Sequence, residues 1–277
     1  MTGHEASPLT LNRRRAWLAL AALCGAASAQ ASCRRPLTVA VSDLGLGCYL
    51  EQGEIRGFIP DLTRELQTRT GCVLTLSYLP RARGLADFDR GAVDIITSMM
   101  RTPERDAVGA YLPYGYTKHD LLVVPEAADG LRGLADLIRR PELTLGVVRG
   151  IRTNSRVDDH LEQLLAIRRA EYSADFANLG AKLAARRVQA ALMPNAVHLK
   201  LRRDGVLPPE LVLIDEPEAR PQVLGLYVNR QAVPQQSITL LAQQLAVLVK
   251  TGWVRQCYVR HFGEAETRRM ENAVRQR

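Results

Sequence analysis

The sequence is poor in aromatic residues, lysine and cysteine. Only 5% of the 277 residues are aromatic, and no basic segment rich in aromatic residues, of the kind that binds RNA, is present. Arginine supplies 33 of the 37 basic residues and is spread along the chain, so the formal net charge of +8 indicates a solvated cationic surface rather than a nucleic-acid site. No Cys-x-x-Cys motif or clustered His and Cys spacing predicts a metal site, and no cofactor is expected.

Long apolar runs are also missing. The longest, Ala16 to Cys24, is too short for a membrane span of ~20 residues. Arg13-Arg14-Arg15 precedes it, and A-x-A cleavage sites follow at 27–29 and 29–31. This order predicts a cleavable signal peptide over residues 1–31 and export to the periplasm. A loose twin-arginine pattern leaves the export route open. Cleavage would lower the net charge from +8 to +6, because three arginines and one glutamate leave.

Four cysteines remain after the predicted cleavage: Cys33, Cys48, Cys72 and Cys257. An even count in an exported chain indicates disulfides, and two bridges among four cysteines allow three pairings. Their spacing alone does not choose among the three.

Short apolar runs and amphipathic patterns alternate along the rest of the chain in two series. Strands are predicted at 37–41, 73–79, 93–96, 121–124, 143–148, 190–193 and 223–228, with helices at 61–70, 84–90, 157–167, 176–187, 195–203 and 235–262. Strand–helix–strand alternation of this kind predicts parallel α/β sheets. We expect two α/β units, joined near residues 123–126 and 216–223.

The segment Thr102-Pro103-Glu104-Arg105 predicts the start of a helix. Thr102 is a favourable N-cap, and proline is common at the first helical position. Arg105 is the unusual residue, because the N-terminus of a helix favours negative charge. Its guanidinium either reaches solvent or contributes to an anion site.

Four segments, in this order and spacing, resemble type 2 periplasmic solute-binding proteins of family 3, the branch related to polar amino acid receptors of ABC transporters. They are Gly57–Leu62, Gly91–Asp94 with Thr102–Arg105, Leu112–Tyr114 and Gly252–Gly263. The resemblance spans residues 36–263. It implies an α/β fold of two lobes with the ligand cleft between them, divided here into lobe 1 (32–124 plus 222–277) and lobe 2 (125–221).

The resemblance also implies a function. It predicts a monomeric receptor that captures a small carboxylate-bearing ligand and presents it to an ABC transporter permease or to a membrane sensor. The alternative is an enzyme on the same fold, similar to cyclohexadienyl dehydratases. Carboxylic acids that would act in such an enzyme are scarce, since Glu104 and Asp120 are explained by a helix start and by solvent.

Residue roles follow from the matching positions. In the amino acid receptors the arginine at the position of Arg105 binds the ligand carboxylate. Further ligand contacts are expected from Ser98, Met100, Tyr49, Tyr114, Arg149, Gly150, Arg152 and Pro194. A core role stays open for Tyr114, a loop-covering role for Tyr49, and a solvent-exposed role for Arg149 and Arg152. Pro194 stands where the receptors place an acid for the ligand ammonium, so we expect an acid that lacks a recognised α-ammonium, unless Asp43 substitutes.

The family fold makes one disulfide plausible. Cys33 and Cys72 each precede a strand, and in the family these two strands are parallel neighbours. We therefore predict a Cys33–Cys72 bridge, which leaves Cys48 and Cys257 as a second pair.

Overall fold

The computed structural model describes residues 33–149, 153 and 155–275. The strands are β1 (Leu37–Val41), β2 (Tyr49–Glu51), β3 (Glu54–Arg56), β4 (Leu74–Tyr78), β5 (Ile95–Met99), β6 (Gly109–Thr117), β7 (His119–Val123), β8 (Leu145–Val148), β9 (Ala170–Ser173), β10 (Ala190–Pro194), β11 (Val212–Ile214) and β12 (Gln222–Asn229). The helices are α1 (Phe58–Thr70), α2 (Arg81–Asp89), α3 (Pro103–Val108), α4 (Pro125–Ala128), α5 (Leu134–Ile138), α6 (Ser155–Ala166), α7 (Phe176–Ala184), α8 (Asn195–Arg203), α9 (Gln235–Lys250), α10 (Trp253–Phe262) and α11 (Glu264–Arg275).

The first lobe is built on a five-stranded sheet in the order β4-β1-β5-β12-β6. Strand β1 runs parallel to β4 and β5, whereas β12 is antiparallel to β5 and β6. Helix α1 covers this sheet because its apolar side chains recur at helical spacing, and Phe58, Leu62 and Leu66 are each about 2% exposed or less. The helix ends at Gly71, whose φ of 69° suits glycine.

The second lobe is built on another five-stranded sheet in the order β11-β7-β10-β8-β9. Strand β8 is parallel to β9 and β10, and β7 is antiparallel to β10 and β11. Its inner strands β8 and β10 are apolar throughout, as expected for strands covered on both faces. Leu121, Leu122 and Leu145 are fully buried in its core.

The chain crosses between the lobes earlier than the sequence suggested. Strand β6 ends in the first sheet at Thr117 and β7 begins in the second sheet at His119, so Lys118 is the crossover residue. The chain returns between Ile214 and Gln222. The expected boundary at 124/125 would cut off β7, whose apolar residues gave no sign of which sheet they join.

The Cys33–Cys72 disulfide is confirmed, with Cα atoms 5.1 Å apart beside the paired strands β1 and β4. The pairing of Cys48 with Cys257 is wrong, because both are free and buried. The Cys48 thiol packs near Asp43 and the Cys257 thiol near Asp61; burial first, and then these charges, raise each thiol's pKa to about 12.

None of the helices in the described part of the chain combines the length and apolar character that crossing a membrane requires.

Candidate functional site

A cavity of about 1240 Å³ is lined by residues of both lobes. Its polar and charged wall in the first lobe includes Arg81, Ser98, Arg101, Glu104, Arg105 and Tyr114, and in the second lobe His119, Arg149, Thr153, Asp158 and Asn195. Met100 and Pro194 also line it. The structure therefore brings together six of the residues expected from the sequence: Ser98, Met100, Arg105, Tyr114, Arg149 and Pro194.

Arg105 reaches the cavity from helix α3. The predicted cap is present: the Thr102 hydroxyl accepts a hydrogen bond from the Arg105 backbone N–H (3.3 Å), and Pro103 follows the cap. The guanidinium turns back, so that Nη1 donates to the Met100 carbonyl (3.2 Å). No carboxylate of the described residues forms an ion pair with it, so the remaining N–H groups are available to an anion.

Ser98 adopts a left-handed backbone conformation with φ of 55°, which is uncommon for a residue other than glycine. Its hydroxyl shares a hydrogen bond of 3.1 Å with the hydroxyl of Tyr114. Tyr114 is buried and its ring centroid lies 5.5 Å from that of Phe58, so this side chain belongs to the core as well as to the cavity wall. Backbone strain of this kind concentrates at functional sites.

Arg81 is a cavity residue that the sequence did not reveal. It is the first residue of α2, three positions before the predicted helix start, in an arginine-rich segment that reads as solvated surface. Nη2 donates to the Ser98 carbonyl (3.0 Å) and contacts the Met99 sulfur (3.4 Å). Burial, and then the charge of nearby Arg105, lower the pKa of Arg81 from its ordinary value.

His119 is a second such residue, and it faces the cavity from the start of β7. It is 6% exposed, and its Nε2 has no hydrogen-bond partner among the described residues. Burial lowers its pKa to about 4, although the charges of Asp120 and Asp158 act in the opposite direction. Because a neutral imidazole both donates and accepts, His119 can contact a ligand with either kind of polar atom.

The wall of the second lobe has no acid at the end of β10. Pro194 is followed by Asn195, whose amide accepts from Thr117 (3.3 Å) and donates to Glu266 of α11 (2.8 Å). Asp158 is the carboxylate of this lobe that lines the cavity, and its Oδ1 already accepts from the backbone and hydroxyl of Thr153 (3.1 and 2.7 Å). The cavity wall of the second lobe therefore contains a carboxylate that the sequence analysis did not identify.

One expected ligand residue, Tyr49, is placed elsewhere. Tyr49 lies outside the cavity lining: its hydroxyl accepts from Arg203 (3.0 Å), and Lys200 and Arg203 lie over its ring. Gly150 and Arg152 lie outside the described residues. Arg149 lines the cavity with its guanidinium carbon 4.5 Å from the ring centre of Tyr172.

Asp120, which we expected to face solvent, is completely buried. It bonds to His198 (2.8 Å) and to both terminal nitrogens of Arg269 (2.8 and 2.6 Å). Glu104 is exposed at the start of α3, as expected. Asp120 is therefore outside the cavity lining, whereas Glu104 is part of the cavity wall.

One group of side chains has ligand atoms close enough for a metal ion. Atoms of Asp61, Cys257 and His261 all lie within 4.8 Å of one another, outside the cavity lining. Asp61 is already bonded to His261 (2.8 Å) and Arg64 (2.9 Å), which accounts for the cluster without a metal.

Comparisons with known proteins support the fold. No curated protein sequence matches this chain. The arginine-, lysine-, histidine-binding protein from the thermophilic bacterium Geobacillus stearothermophilus is 17% identical with a TM-score of 0.67, over 83% of this chain and 96% of that one. An ancestral amino acid-binding protein, described as a precursor of cyclohexadienyl dehydratase, is 19% identical with a TM-score of 0.67 over the same shares.

A histidine kinase sensor domain with similarity to periplasmic binding proteins is 17% identical, with a TM-score of 0.69 over 84% of this chain and 97% of that one. At these identities the structures establish a shared two-lobed α/β fold. Residues 37–264 match the family model described as bacterial extracellular solute-binding proteins, family 3. The chain belongs to that family.

Proposed function

We propose that this protein is an exported receptor that binds a small carboxylate-bearing solute in the cavity between its lobes and presents it to an ABC transporter permease in the inner membrane. Arg105 carries the proposal, because its guanidinium lines the cavity and has no carboxylate partner among the described residues. A ligand carboxylate would supply that partner through a charge-assisted pair of hydrogen bonds.

The second part of the proposal is that the ligand lacks a recognised α-ammonium. Pro194 and Asn195 occupy the end of β10, and Asp158, the acid of the second lobe that lines the cavity, is already bonded to Thr153. Burying an unpaired ammonium costs several kcal/mol. Micromolar binding totals only about −8 kcal/mol, so an unpaired ammonium would remove most of the affinity.

Calorimetry with matched ligand pairs tests both parts. Norvaline is compared with pentanoate, and arginine with 5-guanidinopentanoate, on wild type and on the variant Arg105→Gln. We expect each deaminated acid to bind more tightly than its amino acid. Loss of a charge-assisted hydrogen bond of about 1.5–3 kcal/mol should weaken binding of the acids about 10- to 100-fold in Arg105→Gln.

Arg90→Gln is the control variant, because Arg90 is exposed and pairs with Asp87 outside the cavity lining. If an amino acid binds at least as tightly as its deaminated partner, the ligand class is wrong. If Arg105→Gln binds the acids as well as wild type does, Arg105 is not the anchor.

A sensory role is the second candidate, supported by the similarity to a histidine kinase sensor domain. In that case the ligand-loaded protein would bind the periplasmic part of a membrane sensor rather than a permease. Co-purification from membranes with and without ligand distinguishes the two partners. An enzymatic role would instead require conversion of the bound acid, which is measured by mass spectrometry of the ligand after prolonged incubation.

A further inference from the structure

Two arginines share one wall of the cavity. Arg81 comes from α2 and Arg105 from α3, and both line the cavity in the first lobe. Each is fixed to the same short backbone segment: Arg81 Nη2 donates to the Ser98 carbonyl (3.0 Å) and Arg105 Nη1 to the Met100 carbonyl (3.2 Å). Since a guanidinium has five N–H donors, these bonds orient both groups and leave donors of each for a ligand.

The pair has no counter-ion within the described residues. Other arginines near the cavity are neutralised, such as Arg101 by Asp106 (2.8 Å) and Arg83 by Asp87 (3.2 Å). Arg81 and Arg105 instead bond to neutral backbone carbonyls, and burial, followed by the nearby charge of Arg105, lowers the pKa of Arg81. Two like charges held side by side and partly buried are unfavourable unless an anion joins them.

The cationic character extends across the cavity. Arg149 of the second lobe lines the opposite wall and forms no ion pair with a described residue. None of the described acids that line the cavity forms an ion pair with Arg81 or Arg105: Glu104 is exposed and only feels the charge of Arg105, Asp89 is exposed, and Asp158 is bonded to Thr153. Neutralising two guanidinium charges in one wall takes two negative charges.

We propose that Arg81 and Arg105 form a two-guanidinium site and that the ligand is a short dicarboxylate. Arg105 binds one carboxylate, and Arg81 binds the other. This inference rests on the proposed function and narrows its ligand class from carboxylates to dianions. It assigns a binding role to Arg81, which no motif of the sequence marks.

The test compares dianions with monoanions of the same chain length. Malonate, succinate and glutarate are titrated by calorimetry against propionate, butyrate and pentanoate, in a chloride-poor Tris buffer at neutral pH. We expect at least one dicarboxylate to bind wild type about 10-fold or more tightly than its monoanion, as expected for an added charge-assisted pair. Arg81→Gln should remove that preference, because it should weaken binding of the dianions more than binding of the monoanions.

Arg83→Gln is the matched control, since Arg83 lies on the same helix, its side chain is 67% exposed, and its guanidinium forms an ion pair with Asp87. It should keep the dianion preference. Arg81→Lys retains a charge but loses the planar fork, so it should keep only part of the preference. This variant also serves if Arg81→Gln fails to fold, because full retention of the preference in Arg81→Lys contradicts a guanidinium-specific site.

The outcomes separate the two proposals. If no dicarboxylate binds more tightly than its monoanion, or if Arg81→Gln keeps the preference, the two-guanidinium site is wrong while binding of monocarboxylates by Arg105 still stands. If Arg81→Gln weakens monoanions and dianions equally, both arginines hold a single carboxylate and the dianion assignment is wrong. If Arg105→Gln leaves all binding unchanged, the carboxylate receptor itself is wrong.

Discussion

The C-terminal helix α11 fixes a buried charge of the second lobe, and cutting that contact should destabilise the fold. Asp120 is 0% exposed and accepts hydrogen bonds from Arg269 Nη1 (2.8 Å) and Nη2 (2.6 Å), while His198 bonds to it at 2.8 Å. The perturbation is Arg269→Met, which keeps the aliphatic stem and removes the guanidinium. Residue 269 lies beyond residues 37–264, which match the family model.

The magnitude follows from the burial of Asp120. Burial alone would raise its pKa, but hydrogen bonds from His198 and Arg269 outweigh burial and lower the pKa to about 2, from 3.8. A carboxyl group whose pKa is lower in the folded than in the unfolded chain stabilises the fold at a pH above the unfolded pKa, here by about 2 kcal/mol. This stabilisation is lost as the pH falls from about 4 towards 2. Removing one partner of a buried pair costs more, about 3–5 kcal/mol, because the other charge stays buried. Since His198 (2.8 Å) and Lys118 (3.7 Å) remain beside Asp120, we expect the lower end of this range, about 3 kcal/mol.

Equilibrium unfolding in urea, followed by circular dichroism at pH 7, measures the loss. Arg268→Met is the control: its side chain is 70% exposed and pairs with Glu264, so its removal should cost less than about 1 kcal/mol. In the double variant Asp120→Asn/Arg269→Met the buried charge is gone. Its loss of stability should therefore be smaller, by at least about 1 kcal/mol, than the sum of the losses in Asp120→Asn and in Arg269→Met. Equal losses in Arg269→Met and Arg268→Met, or strict additivity in the double variant, would refute the reasoning.

Two further predictions concern the cavity and the contact between the lobes. His119→Gln should flatten the pH dependence of stability, because burial lowers the His119 pKa from 6.5 to about 4 and the unfolded chain therefore binds the extra proton. Wild type should lose about 3 kcal/mol of its free energy of unfolding as the pH drops from 6.5 to 4. Urea unfolding of both proteins at several pH values measures this loss, and parallel curves of stability against pH contradict it. Gly45→Ala should weaken ligand binding and lower the melting temperature, because the new Cβ would lie 2.2 Å from the Ala196 carbonyl oxygen of the other lobe and the φ of Gly45 is 59°. Gly53→Ala is the control for backbone strain alone, since Gly53 has a φ of 83° and open space around it. Equal effects of the two substitutions would exclude the contact between the lobes as the cause.

Local patterns of the sequence determined most of the secondary structure. Thr102 and Pro103 start α3 because a cap and a fixed φ act on neighbouring residues only. The run Leu37–Val41 forms β1 as predicted. The predicted helix over 235–262 is two helices, since Gly252, in the left-handed region, ends α9 and begins α10. The resemblance to a family supplied the neighbouring strands, and with them the Cys33–Cys72 bridge.

Only the tertiary structure decided which charged side chains meet. Arg81 looks like a surface residue in the sequence, and its place beside Arg105 depends on how α2 and α3 pack against the segment 98–100. Asp120 and Arg269 are 149 positions apart, and no periodicity or spacing relates them. Polarity and periodicity act over a few residues, whereas burial and ion pairing depend on contacts between distant segments. The sequence therefore predicted seven of the strands, the start of α3 and a position for Arg105 in the ligand site, whose role as an anchor stays a prediction. The second arginine, the buried histidine of the cavity and the contact of α11 arose from packing.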